Sequence, residues 1–136
     1  MKTTVTPLRG KRVLLVEDNA INRAIARSVL ESAGCTVEDA YNGAQALDRL
    51  CAHVPDHFDL ILMDLQMPVM DGYETARRIR AMRDPQLSAI PIVTMTANAL
   101  AQDLERENAC GVSRHLSKPI DLTALHAALC EVLREN

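Results

Sequence analysis

Four short aliphatic runs in this chain each end in residues that can do chemistry. Glu17-Asp18-Asn19 follows Val13-Leu14-Leu15-Val16, Asp64 follows Leu60-Ile61-Leu62-Met63, Thr96 follows Ile92-Val93-Thr94-Met95, and Ser117-Lys118-Pro119 closes the weaker run from Val112 to Leu116. Singly, each is ordinary: an acid after a strand commonly caps a helix or faces water, and a lysine before proline is commonly an exposed turn charge. Jointly they are three carboxylates, a hydroxyl and an ammonium at four run ends. Carboxylates about 5 Å apart repel by roughly 3 kcal/mol per pair at an effective dielectric near 20, so such a cluster either holds protons or binds a cation. Oxygen-only donors suit a hard divalent ion. Mg²⁺, which keeps several waters and leaves positions for phosphoryl oxygens, fits this sparse set better than a Ca²⁺ cage. Neither an EF-hand loop nor His/Cys zinc spacing is present. Lys118 then serves as a counter-charge for a phosphoryl group beside the metal.

These residues share a site only if the run ends share a rim. The runs are apolar at consecutive positions, as in parallel strands covered on both faces, and Thr36 to Ala40 supplies a more polar fifth. Between them lie segments with helical spacing: Ile21, Ala24, Ile25 and Val29; Ala46, Leu47, Leu50 and Cys51; Ala76, Ile79 and Met82; Leu100 and Leu104; Leu122, Leu125, Leu129 and Val132. Gly34 and Gly111 stand where helices should stop, and Asn42, Asp71 and Asp121 where they should start, with Asp71 and Glu74 spaced as a capping box. Strand and helix alternate five times, which predicts a doubly wound α/β domain with a parallel sheet and right-handed crossovers. In such sheets ligands bind at the carboxyl ends of the strands, where the chemical residues lie. Asn22 and Arg23 read as part of a solvated helix face, and the methionines as packing groups.

Composition narrows the function. The 136 residues suffice for one domain, and 48% hydrophobic with 24% charged residues is unlike a disordered chain. A formal net charge of -3 gives no overall attraction to phosphate backbones or anionic lipid, so direct nucleic-acid or membrane contact is not expected. Cys35, Cys51, Cys110 and Cys130 form no CxxC pair and read as small buried hydrophobes of a reducing compartment. The apolar runs fall well short of the roughly 18 residues of a membrane span, and Met1 to Gly10 lacks the apolar middle of a signal peptide, so the expected location is cytoplasmic. Residues 1–10 read as a leader or linker and 11–136 as the domain.

The wording of these stretches resembles the receiver domain of response regulators in two-component signalling. The resemblance runs from about Lys11 to Leu133. It rests on Val13 to Asn19, on Met63-Asp64-Leu65-Gln66-Met67-Pro68-Val69-Met70-Asp71-Gly72, on Thr94 to Ala99 and on Leu116-Ser117-Lys118-Pro119-Ile120. It implies a flavodoxin-like sheet in the order 2-1-3-4-5 with five helices. It also implies a phosphoacceptor, Asp64, loaded from a phosphohistidine on a histidine kinase or histidine phosphotransfer domain. Asp18 and Asp64 would ligate Mg²⁺ directly, Glu17 largely through water, and the Gln66 backbone carbonyl would complete the protein ligands. Thr96 would bond the phosphoryl oxygen and Lys118 would pair with it. Phosphoryl transfer needs such positioning and charge neutralisation more than extra covalent groups.

The family's switch aromatic corresponds to His115, a shorter, titratable side chain. The expected output face comprises the helix around Leu100 and Leu104, the fifth strand and the last helix. Leu8 to Val13, Asn22 and Thr96 to Ala99 resemble receivers attached to hybrid histidine kinases, with a free-standing receiver as the alternative. A haloacid-dehalogenase-like phosphatase would carry a second Asp where Gln66 stands, which disfavours multiple turnover and points to a self-phosphorylating, self-dephosphorylating switch. A phosphorylation-independent scaffold is the remaining rival.

Overall fold

The computed structural model describes residues 9–52, 58–64, 72–96, 111–117 and 122–134. The strands are β1 (Arg12–Val16), β2 (Thr36–Ala40), β3 (Leu60–Asp64), β4 (Ile92–Thr96) and β5 (Arg114–Ser117). Every pairing is parallel and the order is β2-β1-β3-β4-β5. The described helices are α1 (Ala20–Ser32), α2 (Gly43–Ala52), α3 (Gly72–Arg80), the single turn α4 (Pro85–Ser88) and α5 (Leu122–Arg134). The helix expected around Leu100 and Leu104, and the starts at Asp71 and Asp121, lie outside the described residues.

Consecutive apolar residues make these strands because both faces are covered. Leu14, Val16, Ile61, Met63 and Ile92 face a layer formed by Ala46, Leu50, Tyr73, Ala76, Ile79 and Leu87 from α2, α3 and α4. Val13, Leu15, Leu60, Leu62, Val93 and Met95 face the other way, onto Ala26 and Leu30 of α1 and Leu125 and Val132 of α5. One aromatic, Phe58, is fully buried in the first layer.

Punctuation follows local chemistry. Asn19 caps α1, its side chain accepting from the Asn22 N–H. At α2, Asn42 accepts from the Gln45 N–H while the Gln45 side chain accepts from the N–H of Tyr41, the residue before the cap, each at 2.8 Å, a variant of the capping box. Beyond α1, Gly34 adopts φ 95°, the left-handed conformation that ends a helix.

Three expectations need correction. Ile21 and Ile25 are 72% and 46% exposed; of the expected stripe Val29 packs against the core, beside the fully inward Ala26 and Leu30. Cys51 is exposed at the end of α2, whereas Cys35 and Cys130 are buried as expected. Arg23 is half-buried and bonded to backbone rather than solvated.

Candidate functional site

Backbone register brings the acids together. Val16 of β1 lies opposite Met63 of β3, so the residues that follow, Glu17 and Asp64, leave the sheet level with one another. Glu17 extends the ladder by one bond on its other side, its N–H donating to the Ala40 carbonyl at 3.0 Å. Asp64 lies opposite Met95, so Thr96 ends β4 one residue beyond the acid on the adjacent strand. Glu17, Asp64 and Thr96 are almost fully buried, and Asp18 is exposed.

One carboxylate oxygen from each of Glu17, Asp18 and Asp64 lies within 4.8 Å of the others. Hydrogen bonds hold the loop that carries the first two. Glu17 accepts from the Asn19 N–H at 3.2 Å, and the Arg23 guanidinium donates to the Glu17 carbonyl at 2.9 Å and, more loosely, to the Asp18 carbonyl at 3.4 Å. Three hard anionic oxygens, two on buried side chains and one open to water, fit a small divalent cation that retains part of its hydration shell. Softer metals would call for thiolate or imidazole donors, and the cluster has none.

Of the residues singled out from sequence, the structure gathers Glu17, Asp18 and Asp64, with Thr96 on the same rim. His115 pairs with Thr94 through the β4–β5 ladder, but its side chain lies outside the described residues, as do Lys118, Gln66 and Asn98. Two features were missed. Asn19 is the helix cap that turns the chain after the acids, and Arg23 buttresses their loop while lying over the Tyr41 ring, 4.1 Å from its centroid. The signal for Arg23 was a cation in the first turns of a helix, where the macrodipole disfavours it unless another contact compensates.

A family model described as "Response regulator receiver domain" matches residues 13–130. The chain belongs to this family. Among curated relatives, the receiver is 39% identical over 126 residues to "Probable histidine kinase 2" of Oryza sativa subsp. indica, covering 85% of this chain and 12% of that protein. It is 42% identical over 123 residues to "Two-component response regulator ORR41" of Oryza sativa subsp. japonica, covering 88% of this chain and 92% of that one. Against some relatives it therefore spans only about an eighth of their length, and against others nearly all.

Solved structures agree. The receiver domain of a Pseudomonas aeruginosa PAO1 sensor histidine kinase, with a magnesium ion coordinated in its active-site cleft, superposes with a TM-score of 0.78 at 35% identity, covering 92% of this chain and 98% of that one. The receiver domain of the Saccharomyces cerevisiae response regulator Ssk1, co-crystallised with the histidine phosphotransfer protein Ypd1, gives 0.79 at 32% identity, covering 91% and 89%.

Proposed function

We propose that this receiver is a Mg²⁺-dependent phosphorylation switch whose acceptor is Asp64. The observation that carries the proposal is the convergence of Glu17, Asp18 and Asp64 at the ends of two neighbouring parallel strands, beside the buried hydroxyl residue Thr96. In the reaction, an Asp64 carboxylate oxygen attacks phosphorus in line and an O–P bond forms. The N–P bond of the donor phosphohistidine breaks, and its electron pair returns to the imidazole nitrogen. Burial of Asp64 limits the water that competes with transfer. Thr96 bonds an equatorial phosphoryl oxygen, and Lys118, the first residue after β5, neutralises another.

Glu17, Asp18, Asp64 and the Gln66 carbonyl would hold the ion, which supplies charge neutralisation for the phosphoryl oxygens. The structure of a receiver relative with magnesium in its cleft supports this assignment. Phosphorylation adds about -2 of charge at the rim and shifts a two-state equilibrium read by protein partners through the β5 and α5 side of the domain, with His115 in the switch position.

The donor is a histidine kinase or histidine phosphotransfer domain, a reading supported by the Ypd1–Ssk1 complex of a relative. It docks where its histidine can reach Asp64. The exposed Ile21 and Ile25 of α1, the helix that begins directly after the acidic loop, offer it an apolar contact beside the site. Similarity to kinase-borne receivers favours a place in a cytoplasmic portion of a hybrid sensor kinase, with residues 11–136 as the receiver and 1–10 as its lead-in. The match to a regulator of nearly equal length keeps a free-standing receiver as the second reading.

Incubation with acetyl phosphate and Mg²⁺, followed by intact-protein mass spectrometry, tests the core of the proposal. A phosphoryl adduct abolished by EDTA and by Asp64→Asn is expected. An adduct that survives Asp64→Asn refutes the acceptor.

A further inference from the structure

Arg23 stands in the first turns of α1, an unfavourable place for a cation, since the N-terminal end of a helix carries the positive end of its dipole. Three contacts hold it there. Its Nη1 donates to the Glu17 carbonyl at 2.9 Å and lies 3.4 Å from the Asp18 carbonyl, and its guanidinium carbon lies over the Tyr41 ring, 4.1 Å from the centroid. Tyr41 is itself held by the α2 cap, because its N–H donates to the Gln45 side chain while Asn42 accepts from the Gln45 N–H. A continuous series of contacts therefore runs from the start of α2 through an aromatic ring and a guanidinium to the two carbonyls of the acidic loop.

We propose that Arg23, supported by Tyr41, is a positioning residue that fixes the backbone of Glu17 and Asp18 so that their carboxylates face Asp64 in the geometry a divalent cation needs. This rests on the receiver reading above and extends it to two residues outside the acidic cluster. The physical reason is that carboxylates repelling one another swing apart unless their backbone is restrained. Arg23 Nη1 reaches two successive carbonyls and so restrains the peptide between them, and the planar guanidinium braced on a ring holds that nitrogen in place as a flexible lysine ammonium would not. Support from ring stacking lets Arg23 act on the carbonyl side of the loop.

A purely electrostatic role predicts the opposite sign. A cation near a metal site repels the metal, so removing Arg23 would then tighten Mg²⁺ binding, and lysine would behave as arginine does. The experiment uses charge-preserving variants of the whole chain, Arg23→Lys and Tyr41→Leu, with Tyr41→Phe as the conservative rescue. Mg²⁺ affinity is measured by titration calorimetry and melting temperature in EDTA.

Arg23→Lys and Tyr41→Leu should each weaken Mg²⁺ about five- to tenfold, at the lower end of what supporting residues around a metal contribute, while Tyr41→Phe stays within about twofold. Melting in EDTA should change little for any of them, because Tyr41 is 48% exposed and lysine keeps the charge and the stem of the half-buried Arg23. Wild-type affinity in both Arg23→Lys and Tyr41→Leu would overturn the inference and leave the receiver reading intact. Absence of Mg²⁺ binding by the wild type would remove both. If Tyr41→Leu fails to fold, Arg23→Lys decides alone.

Discussion

Neutralising Asp64 should make the metal-free domain more stable, although it removes the acceptor. Asp64 and Glu17 are 3% and 1% exposed and present oxygens within 4.8 Å of each other. At that separation and an effective dielectric near 20, two unit charges repel by about 3.5 kcal/mol. Asp18 is exposed and its contribution is screened, adding roughly 1 kcal/mol in a water-like dielectric. Asparagine keeps the shape but forgoes part of the hydrogen bonding that the carboxylate receives, an offset of about 1–3 kcal/mol. The net expectation for Asp64→Asn is stabilisation by roughly 1.5–3.5 kcal/mol, which for a domain of this size raises the melting temperature by about 5–12 °C.

Calorimetric melting in EDTA and in Mg²⁺ checks it. Wild type should gain about 2.7 kcal/mol at a Mg²⁺ concentration one hundred times Kd, so the advantage of the variant shrinks or reverses when metal is added. Asp18→Asn should gain less than Asp64→Asn in EDTA, because its charge is already in water. An Asp64→Asn protein that melts at or below the wild type in EDTA would refute the claim that repulsion within this cluster governs its stability.

Other consequences are readily checked. Burial, then the charges of Asp59 and Cys130, raise the Cys35 thiol from 9.0 to about 11. The folded value lies above the unfolded one, so this stabilisation is whole below pH 9 and lost as pH rises toward 11; urea midpoints should fall across that window, less steeply in Cys35→Ala. At pH 8 a maleimide should label exposed Cys51 well before buried Cys35 or Cys130. Arg80 donates to the carbonyls of Ser88, Ile90 and Gly111, and a Cβ on Gly111 would come within 2.6 Å of its Nε. Arg80→Ala should cost about 2–4 kcal/mol and Gly111→Ala about 1–3, with urea unfolding of the double variant showing less than their sum because the clash is then gone. Ile21→Asp with Ile25→Asp should slow phosphoryl transfer from a protein donor at least tenfold while leaving loading from acetyl phosphate within about twofold, as expected for an apolar docking contact.

Much of the sheet was legible because a strand buried on both faces must be apolar at nearly every position, and the runs ending at Val16, Met63 and Met95 are, with buried Thr94 their one polar member. Helix facing was less legible. In α1, Ile21, Ala24 and Ile25 have helical spacing, yet the inward face is Ala26 and Leu30. Periodicity finds a stripe but cannot say whether protein or a partner covers it, and here two small or branched inward residues leave the larger apolar ones outside. Cys51 misled for a related reason: it continues the Leu47 side of the stripe, whereas at the end of α2 the residue turned to the core is its neighbour Leu50. Arg80 and Arg23 were illegible as anchors because their partners are carbonyls, and every residue has one.

The acidic cluster depends on topology more than on any one motif. Glu17 and Asp64 are separated by two helices and a strand, and they meet because β1 lies between β2 and β3. The chain leaves β1 through α1 on one face, reaches β2 at the edge, and returns through α2 on the other face to β3. The chain leaves the carboxyl end of β1 toward α1 on one face and that of β3 toward α3 on the other, and this divergence leaves a crevice, the point at which open α/β sheets bind ligands. Glu17 and Asp64 are almost as buried there as Val16 and Met63 one position earlier, and the cluster opens to water through the exposed Asp18, the side from which a cation would enter. A one-residue slip of β3 against β1 would send the Asp64 side chain to the opposite face of the sheet, since alternate residues point opposite ways. The apolar register that buries Leu14, Ile61 and Met63 on one face therefore also aims Asp64 at Glu17, and core packing and site geometry rest on the same alignment.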